Sequence, residues 1–410
     1  MTFSAEASIP VADVSKQPLI LLVLILGILT AFSAMSIDMY LPAFPQIARE
    51  LGIPFSTVQL SISAFLFGSA AGQLFYGPLA DRWGRRTPLL TGLTLYIVSA
   101  IGCACVSTDG ELLFWRVVMA IGAGAGGVIA RAVVRDLYNL TEAAKMFSML
   151  MLVMGVAPIL APMVGGQILL FTGWRSIFGF LAIFGLLSLC LVAAKLPESL
   201  PEERRIRRSL SQMLTVYRHI FRNHQFLRYS IGLGCVTGVN FSYISGAPFV
   251  FIELHGVSPQ HFGLFFGLGA CGLIGASRLN RKLLLRYNPR EILTLAFIIN
   301  VMAAILLAIS VITGIGGFHA LVTLIFVCLA MTGLLLPNVT ALAMAPFNKA
   351  AGSASALPGT IQYALGAMAG TLVGLLHNGT GLPMAATMAV CGLIGWVVTR
   401  DVKLYSHQSN

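Results

Sequence analysis

Charge is what this sequence lacks most. Only 10% of its 410 residues are charged, and 15 acidic residues stand against 26 lysines and arginines. Soluble domains carry about 25% charged residues. Because 57% of the chain is hydrophobic, most of its surface must face lipid instead of water. The scarcity of charge therefore excludes a soluble protein, and the recurrence of apolar runs along the whole chain excludes a soluble enzyme with one anchor.

Cysteine- and metal-based chemistry is also missing from the pattern. The seven cysteines stand apart, most of them inside apolar runs, and an odd number cannot form a full disulfide framework. The seven histidines are scattered, and none stands beside Cys, Asp or Glu at the spacing of a metal site. The sequence therefore predicts no metal, no cofactor and no catalytic cluster. The cysteines are interpreted as small packing residues.

Long apolar runs are what the sequence has in abundance. Runs of eighteen or more such residues are typical of membrane-spanning helices, because lipid offers no partner to unpaired backbone groups. We place twelve spans in two sets of six: 18–40, 55–76, 88–107, 111–133, 145–170 and 176–195, then 228–251, 260–283, 290–313, 317–338, 352–376 and 382–400. The predicted fold class is an all-α polytopic membrane protein with twelve transmembrane helices.

A single long hydrophilic interruption divides these spans. It is predicted to be a solvated linker, residues 197–227, between a six-helix bundle at 18–196 and a second one at 228–400. Two such bundles joined by a linker are typical of a pseudo-symmetric transporter with a central cavity. Short tails, residues 1–17 and 401–410, complete the predicted organisation.

The lysines and arginines predict the orientation in the membrane. With the N-terminus in the cytoplasm, only Arg49, Arg116 and Arg175 fall toward the other side. Both tails and the linker are then cytoplasmic. The net charge of +11 is a topology signal and not a nucleic-acid footprint, because the arginines lie in short loops without the aromatics of a binding groove.

Two charged residues lie inside predicted spans at a similar depth. Asp38 is the only charge between Lys16 and Arg49. A carboxylate within a membrane helix costs about 2.5–3.5 kcal/mol on insertion scales and normally faces protein or a water-filled cavity. Arg116 needs a buried partner, and Asp38 is the nearest candidate by depth. Asp38 is thus either a titratable cavity group or a helix-end carboxylate at the membrane interface.

An ordered group of glycines and charges separates the second and third spans, Gly77-Pro-Leu-Ala-Asp-Arg-Trp-Gly-Arg-Arg. Gly77 and Gly84 are predicted to make a tight turn. A plain basic loop explains the arginines of this segment but not its ordered glycines and aspartate. Farther along, Arg131 and Arg135 share one helix face beside Asp136. Asp136 is either a partner for the loop arginines or part of a solvated helix end.

The fifth span carries a proline–glycine pattern, Gly155-Val-Ala-Pro-Ile-Leu-Ala-Pro-Met-Val-Gly-Gly. Pro158 and Pro162 remove backbone donors and are predicted to bend the helix. Gly155, Gly165 and Gly166 allow another helix to approach closely. Together the prolines and glycines are a stronger signal than glycines alone, which are common in membrane helices.

Taken together, these segments resemble the major facilitator superfamily, and most closely its Bcr/CflA branch, the bicyclomycin- and chloramphenicol-resistance exporters. The resemblance covers nearly all of the chain and includes three further segments: Ser36-Ile-Asp-Met-Tyr-Leu-Pro42, Arg131-Ala-Val-Val-Arg-Asp136 and Ser245-Gly-Ala-Pro-Phe249. It implies two six-helix bundles, alternating access and export driven by proton entry.

The resemblance also implies roles for individual residues. Asp38 would couple proton movement to transport, and Arg116 would tune that coupling. Asp81 with Arg85 would gate the cytoplasmic face. The residues assigned to that gate are Gly77, Asp81, Arg82, Gly84, Arg85, Arg86, Arg131, Arg135 and Asp136. Two departures from the family pattern stand out. Met119 replaces a common glutamine, and the second-half loop near Gly275–Arg290 lacks an acid, so the two gates are not equivalent.

Candidate substrate contacts are polar or soft side chains in apolar surroundings: Met35, Met39, Asn240, Tyr243, Asn338, Gln362 and Tyr363. Ordinary helix–helix hydrogen bonding or packing is the alternative interpretation of each. The leading prediction is a monomeric multidrug exporter of the bacterial inner membrane, whose partners are a small molecule, protons and the lipid bilayer. Export of a natural metabolite or amino acid is the alternative. A membrane enzyme or receptor is more distant, because no reactive cluster is visible.

Overall fold

The protein is described by a computed structural model over residues 19–205, 222–347 and 356–400, and its regular structure there is entirely helical. Thirteen α-helices follow in order: α1 Leu19–Asp38, α2 Phe44–Leu51, α3 Phe55–Trp83, α4 Arg86–Ala104, α5 Asp109–Leu137, α6 Leu140–Thr172, α7 Arg175–Lys195, α8 His224–Pro248, α9 Pro259–Leu283, α10 Pro289–Thr313, α11 Gly317–Met344, α12 Ala356–Leu375 and α13 Leu382–Arg400. A short 3₁₀ turn, Leu41–Ala43, joins α1 to α2, and a π-helical segment, Phe249–Leu254, extends α8. The predicted tails, 1–17 and 401–410, and linker residues 206–221 lie outside the described residues.

The predicted fold class is confirmed. Within the described ranges, eleven helical segments are long and apolar enough to cross a membrane, and α12 is the twelfth long helix. α12 carries the polar side chains of Gln362 and Tyr363 within its length. It can carry these side chains because it packs between α3 and α8. Several helices also run beyond their predicted spans, most clearly α3, which continues to Trp83.

Two sets of helices meet along two seams. In the first half, α5 packs against both α3 and α4, whereas in the second half α8 packs against α12 and α13. The halves touch mainly where α3 meets α12 and where α6 meets α9. We call the end with the Trp83–Arg86 turn and Lys195 the basic end, and the end with Leu41–Ala43 the opposite end.

Glycines let α5 approach its neighbours at backbone distance. A Cβ atom added to Gly122 would lie 2.7 Å from the carbonyl oxygen of Gly92 in α4. One added to Gly126 would lie 2.5 Å from the carbonyl oxygen of Leu29 in α1. Both distances are too short for any side chain, so α5 is the tightly packed centre of the first half.

Polar caps mark where three helices begin. In each capping box the N-cap side chain accepts a hydrogen bond from the N3 backbone, and a glutamate at N3 accepts one from the N-cap backbone. The pairs are Thr108 with Glu111, Asn139 with Glu142, and Asn288 with Glu291. These boxes satisfy backbone donors that would otherwise face the membrane boundary without a partner.

Candidate functional site

A cavity of about 320 Å³ lies between the two halves of the protein. Its walls come from α1, α3, α5 and α6 on one side and α8, α9, α11 and α12 on the other. Apolar side chains dominate the lining, with a few polar groups among them, which is the usual composition of a small-molecule site. Within the described residues the only charged groups in the lining are Asp38 and Arg131.

Asp38 is the last residue of α1 and faces this cavity. Its side chain is buried, with 4% of the residue exposed, and its Oδ1 atom has no protein hydrogen-bond partner in the described part of the chain. Tyr243 of α8 lies close enough to act on its charge, and the Tyr243 hydroxyl also lacks a partner. A buried carboxylate without a partner is costly and is open to a proton or a ligand. This position favours a titratable cavity group over an interfacial carboxylate.

Arg116 does not pair with Asp38, so that expectation is wrong. The guanidinium is fully buried, and its Nη1 donates a hydrogen bond of 2.8 Å to the carbonyl oxygen of Ser36. It also lies 4.2 Å from the ring centroid of Tyr40 and 4.5 Å from that of Phe65. These cation–π contacts and the carbonyl take the place of a carboxylate partner.

The geometry of α1 explains why similar depth in the membrane did not bring Asp38 and Arg116 into contact. Residues two apart on a helix point about 200° from each other. Ser36 faces the interior of the first half, where its hydroxyl lies 2.8 Å from that of Tyr96, whereas Asp38 faces the cavity. Arg116 therefore fixes the backbone two residues before Asp38 without touching the carboxylate.

A buried charge cluster lies at the basic end of the first half. Arg85 donates from Nε to Asp136 Oδ2 at 2.8 Å and from Nη1 to Asp81 Oδ1 at 2.6 Å. Burial opposes the charge of Arg85, but its hydrogen bonds to the two aspartates outweigh this and raise its pKa above the ordinary value. The carboxylate of Glu198 accepts from the backbone N–H groups of Arg85 and Arg86, at 2.8 and 3.1 Å. The structure thus pairs Asp136 with a loop arginine.

The turn beside this cluster differs from the prediction in two ways. Only Gly84 needs to be glycine, since its φ is +87° and it abuts Glu198. Gly77 lies inside α3, and a Cβ there would meet nothing within 4 Å. The linker was predicted to be solvated from residue 197, yet Ser199 and Leu200 are buried, and Ser199 donates to Asp136 at 3.2 Å. Sequence reasoning missed Glu198 because it stands in a segment that looks hydrophilic.

The two arginines of α5 lie in different surroundings. Arg131 lines the cavity, whereas Arg135 lies outside its lining with an exposed side chain. In the described part of the chain neither makes a hydrogen bond or an ion pair, because Asp136 is committed to Arg85. Arg82 is exposed as well. The predicted gate residues therefore divide into a buried cluster, exposed cations and one cavity residue.

The proline–glycine pattern of α6 fits it against other chain segments. Gly165 abuts the carbonyl oxygen of Met39, just after α1, so closely that no side chain fits there. A Cβ added to Gly166 would lie 2.7 Å from the carbonyl oxygen of Pro259, at the start of α9. This contact joins the two halves.

The prolines of the same pattern lie within an unbroken helix. Pro158 and Pro162 are both inside α6, which runs from Leu140 to Thr172. Gly155 and Pro158 line the cavity. The predicted bend at these prolines stays a prediction.

Contacts between the halves close the opposite end of the cavity. Gln59 of α3 donates a 3.1 Å hydrogen bond to the carbonyl oxygen of Ser245 in α8. The ring of Phe55 lies 5.3 Å from that of Phe249 and 5.9 Å from that of His377, between centroids. Burial lowers the pKa of His377. We call these five residues the opposite-end closure, and the cavity lies on its basic-end side.

The predicted substrate contacts separate by position. Asn240 and Tyr243 line the cavity, and Asn240 Oδ1 accepts a hydrogen bond of 3.3 Å from Thr332. Tyr363 lines it too, from α12. These three side chains remain candidates for ligand contact.

The other predicted contacts lie outside the cavity lining. Asn338 donates to Asn280 Oδ1 at 2.7 Å, so its amide joins α11 to α9. Met39 is fully buried against Gly165, and neither Met35 nor Gln362 reaches the cavity. A helical position shows which residues are polar but not which way each one faces.

Gln73 is a cavity residue that the sequence analysis missed. It lies on α3 in the lining, and its Oε1 atom touches Gly359 of α12. The available signal was that Gln73 is one of only two glutamines in the apolar second span, the other being Gln59.

A helical bundle with a cavity between its halves, and an acid without a protein partner in that cavity, is typical of a membrane transport protein. Comparison with known proteins agrees. The family model described as Major Facilitator Superfamily matches residues 26–371, so the chain belongs to that superfamily. Among solved structures, the fold is similar to that of a D-xylose–proton symporter, with a TM-score of 0.71, 17% identity, and 92% of this chain and 96% of that chain covered.

Sequence relatives place the chain in the Bcr/CflA branch of the superfamily. It is 38% identical to the uncharacterized MFS-type transporter YdgK of Bacillus subtilis, over 91% of this chain and 93% of the relative. It is 30% identical to a bicyclomycin resistance protein homolog of Haemophilus influenzae, with the same coverage of 91% and 93%. It is 29% identical to multidrug resistance protein D of Escherichia coli, over 92% and 95%.

Proposed function

We propose that this protein exports small, partly apolar compounds across the bacterial inner membrane in exchange for protons. The observation that carries the proposal is Asp38, an acid without a protein partner that faces the cavity between the halves. A group in this position can bind a proton and is also reached by a bound compound. The relatives named for bicyclomycin resistance and multidrug resistance support export of antibiotic-like compounds.

The arrangement suggests how exchange would work. With the basic end in the cytoplasm, as the positive-inside rule favours, the closed opposite end faces outward. A compound enters the cavity from the cytoplasm, the halves rock, and the cavity opens outside. A proton then binds Asp38 and removes the cost of its buried charge, which favours return to the state with the opposite end closed.

The basic-end charge cluster would control closure of the basic end during this cycle. Arg85, Asp81, Asp136 and Glu198 are all held within the first half. We propose that this cluster keeps the ends of α3, α4 and α5 together as one rigid surface. The second half docks against that surface when the basic end closes. The second-half loop lacks an acid, so no equivalent cluster forms there.

The proton gradient supplies enough free energy for this task. One proton crossing 100 mV releases about 2.3 kcal/mol. One pH unit adds about 1.4 kcal/mol. At perfect coupling the sum supports a substrate gradient of a few hundredfold per proton.

Transport in proteoliposomes tests the proposal. We would impose a proton gradient and measure uptake of a panel that contains antibiotics, amino acids and other natural metabolites. Wild type would be compared with Asp38→Asn and with Asp109→Asn, an exposed acid at the start of α5 outside the cavity. We expect gradient-driven transport in wild type and Asp109→Asn, and only downhill exchange in Asp38→Asn. Full pumping by Asp38→Asn would contradict the proposed role of Asp38.

A further inference from the structure

Arg131 is a cation inside the cavity without an acid beside it. Its side chain is exposed and faces the cavity that it lines. The ionisable groups that act on it are Tyr363 of α12 and Arg135, a neutral phenol and a like charge. In the described part of the chain it forms no hydrogen bond and no ion pair. Since no anion among the described residues occupies its guanidinium, Arg131 is available to an anionic group of a molecule bound in the cavity.

Asp38 is too far away to be that anion. Gly126 of α5 contacts Leu29 of α1, so these two residues lie at the same level. Asp38 lies nine residues toward the opposite end from Leu29, and Arg131 five residues toward the basic end from Gly126. At 1.5 Å per residue, their Cα atoms are about 20 Å apart along the helix axes.

The side chain of Arg131 is directed into the cavity. Long side chains on a helix lean toward its N-terminus. The N-terminus of α5 lies at the opposite end, so the guanidinium of Arg131 extends from the basic end toward the cavity centre. Tyr363 stands next to it as a neutral hydroxyl, and the apolar rings of Phe241 and Phe266 line the space beyond.

We propose that Arg131 binds the carboxylate of the transported compound, and that the substrates include amphipathic aromatic or aliphatic monocarboxylates. This inference rests on the proposed transport function and names its substrate class. The planar guanidinium fork matches a carboxylate with two parallel hydrogen bonds. One arginine neutralises one negative charge, whereas a phosphate dianion would leave a net charge in an apolar cavity. The apolar remainder of the molecule would lie against Phe241 and Phe266.

Binding of a carboxylate at this site leaves Asp38 free to titrate. A separation of about 20 Å between Cα atoms exceeds the Debye length of about 8 Å at physiological ionic strength, so the two sites interact weakly in a hydrated cavity. Proton and substrate are then coupled through the shared equilibrium between cavity orientations and not by direct charge repulsion.

Equilibrium binding to the full-length protein in lipid nanodiscs, without any gradient, tests the proposal. The probes are pairs of a monocarboxylate and its uncharged amide, among them 1-naphthylacetate with 1-naphthylacetamide and 3-phenylpropionate with 3-phenylpropionamide. We expect wild type to bind the acid of at least one pair about tenfold or more tightly than the amide, as befits a charge-assisted bidentate contact. Arg131→Gln should remove this preference and leave amide binding unchanged. Lys145→Gln, which removes an exposed basic-end charge outside the cavity, should keep it.

Three results would overturn the proposal: no binding of any acid, no acid preference in any pair, or a preference that survives Arg131→Gln. Should that variant fail to fold, Arg131→Lys decides instead. It keeps the charge and loses the planar fork, so the preference should fall several-fold, and an unchanged preference counts against the proposal. Because binding is measured without a gradient, the acid preference can be detected even in a protein that does not exchange protons. Gradient-driven transport without acid preference would keep the function and refute the substrate class.

Discussion

Because Arg116 and Asp38 do not touch, we expect them to contribute independently to stability, and a double-mutant cycle measures this. Arg116→Gln removes one hydrogen bond from a charged donor to Ser36, worth about 1.5–3 kcal/mol. It also removes contacts with the rings of Tyr40 and Phe65, worth about 0.5–2 kcal/mol each. We therefore expect a loss of about 2.5–7 kcal/mol in the free energy of unfolding.

Asp38→Asn should act in the other direction. It removes a buried carboxylate whose Oδ1 has no protein partner, so stability should stay unchanged or rise. With no contact between the two side chains, the effects of the single variants should add within about 0.5 kcal/mol in the double variant. A buried ion pair would behave differently, because loss of either partner alone costs about 3–5 kcal/mol and loss of the second adds little.

Reversible unfolding in mixed detergent micelles, followed by tryptophan fluorescence, gives the four free energies of the cycle. Arg116→Lys is the informative control, since it keeps the charge but loses the planar group between the two rings. We expect it to lose nearly as much stability as Arg116→Gln. A coupling energy above about 2 kcal/mol, or full stability in Arg116→Lys, would refute the description of Arg116 as a backbone and ring contact.

Three further predictions follow from other parts of the structure. Arg85→Gln should lower the free energy of unfolding by about 2–3 kcal/mol, less than a fully buried pair because Asp81 is half exposed, whereas the exposed Arg82→Gln should stay within about 0.5 kcal/mol; chemical unfolding of both variants compares them. Gly165→Ala should cost about 1–3 kcal/mol by overpacking, and Gly77→Ala, whose new methyl group meets nothing, should be neutral in the same assay. Burial lowers the pKa of His377. The neutral side chain therefore contributes its full stability above the pKa of unfolded histidine, about 6.5, and this stability is lost as pH falls through the folded pKa. His377→Phe should therefore weaken the loss of stability between about pH 7 and pH 5, and an unchanged pH profile would contradict this.

The spans and the charged motifs could be predicted because both depend on the free energy of placing a given residue type in lipid, which the local sequence determines. An apolar run of sufficient length has few alternatives to crossing a membrane, and a carboxylate such as Asp38 stands out wherever it interrupts such a run. For Asp136 the sequence left two alternatives, a partner for the loop arginines or a solvated helix end, and the structure pairs it with Arg85.

What the sequence could not supply was direction around each helix axis. Counting residues placed Arg116 level with the end of α1 but could not show that it faces Ser36 and two aromatic rings. The same gap assigned Arg131 to the gate when it lines the cavity. Glu198 was missed for a different reason, because its role depends on the chain folding back onto a turn more than one hundred residues earlier.

The composition of α12 bears on how the protein is made. Gln362 and Tyr363 are polar side chains within α12, and each of them reduces the free energy that this helix gains from lipid on its own. Its polar positions are accommodated between α3 and α8, and α3 belongs to the first half. During synthesis the first half is complete before α12 leaves the ribosome, so it offers a ready protein surface for this last-but-one span. The second half thus depends on the first for its own assembly, which favours keeping both halves in one polypeptide.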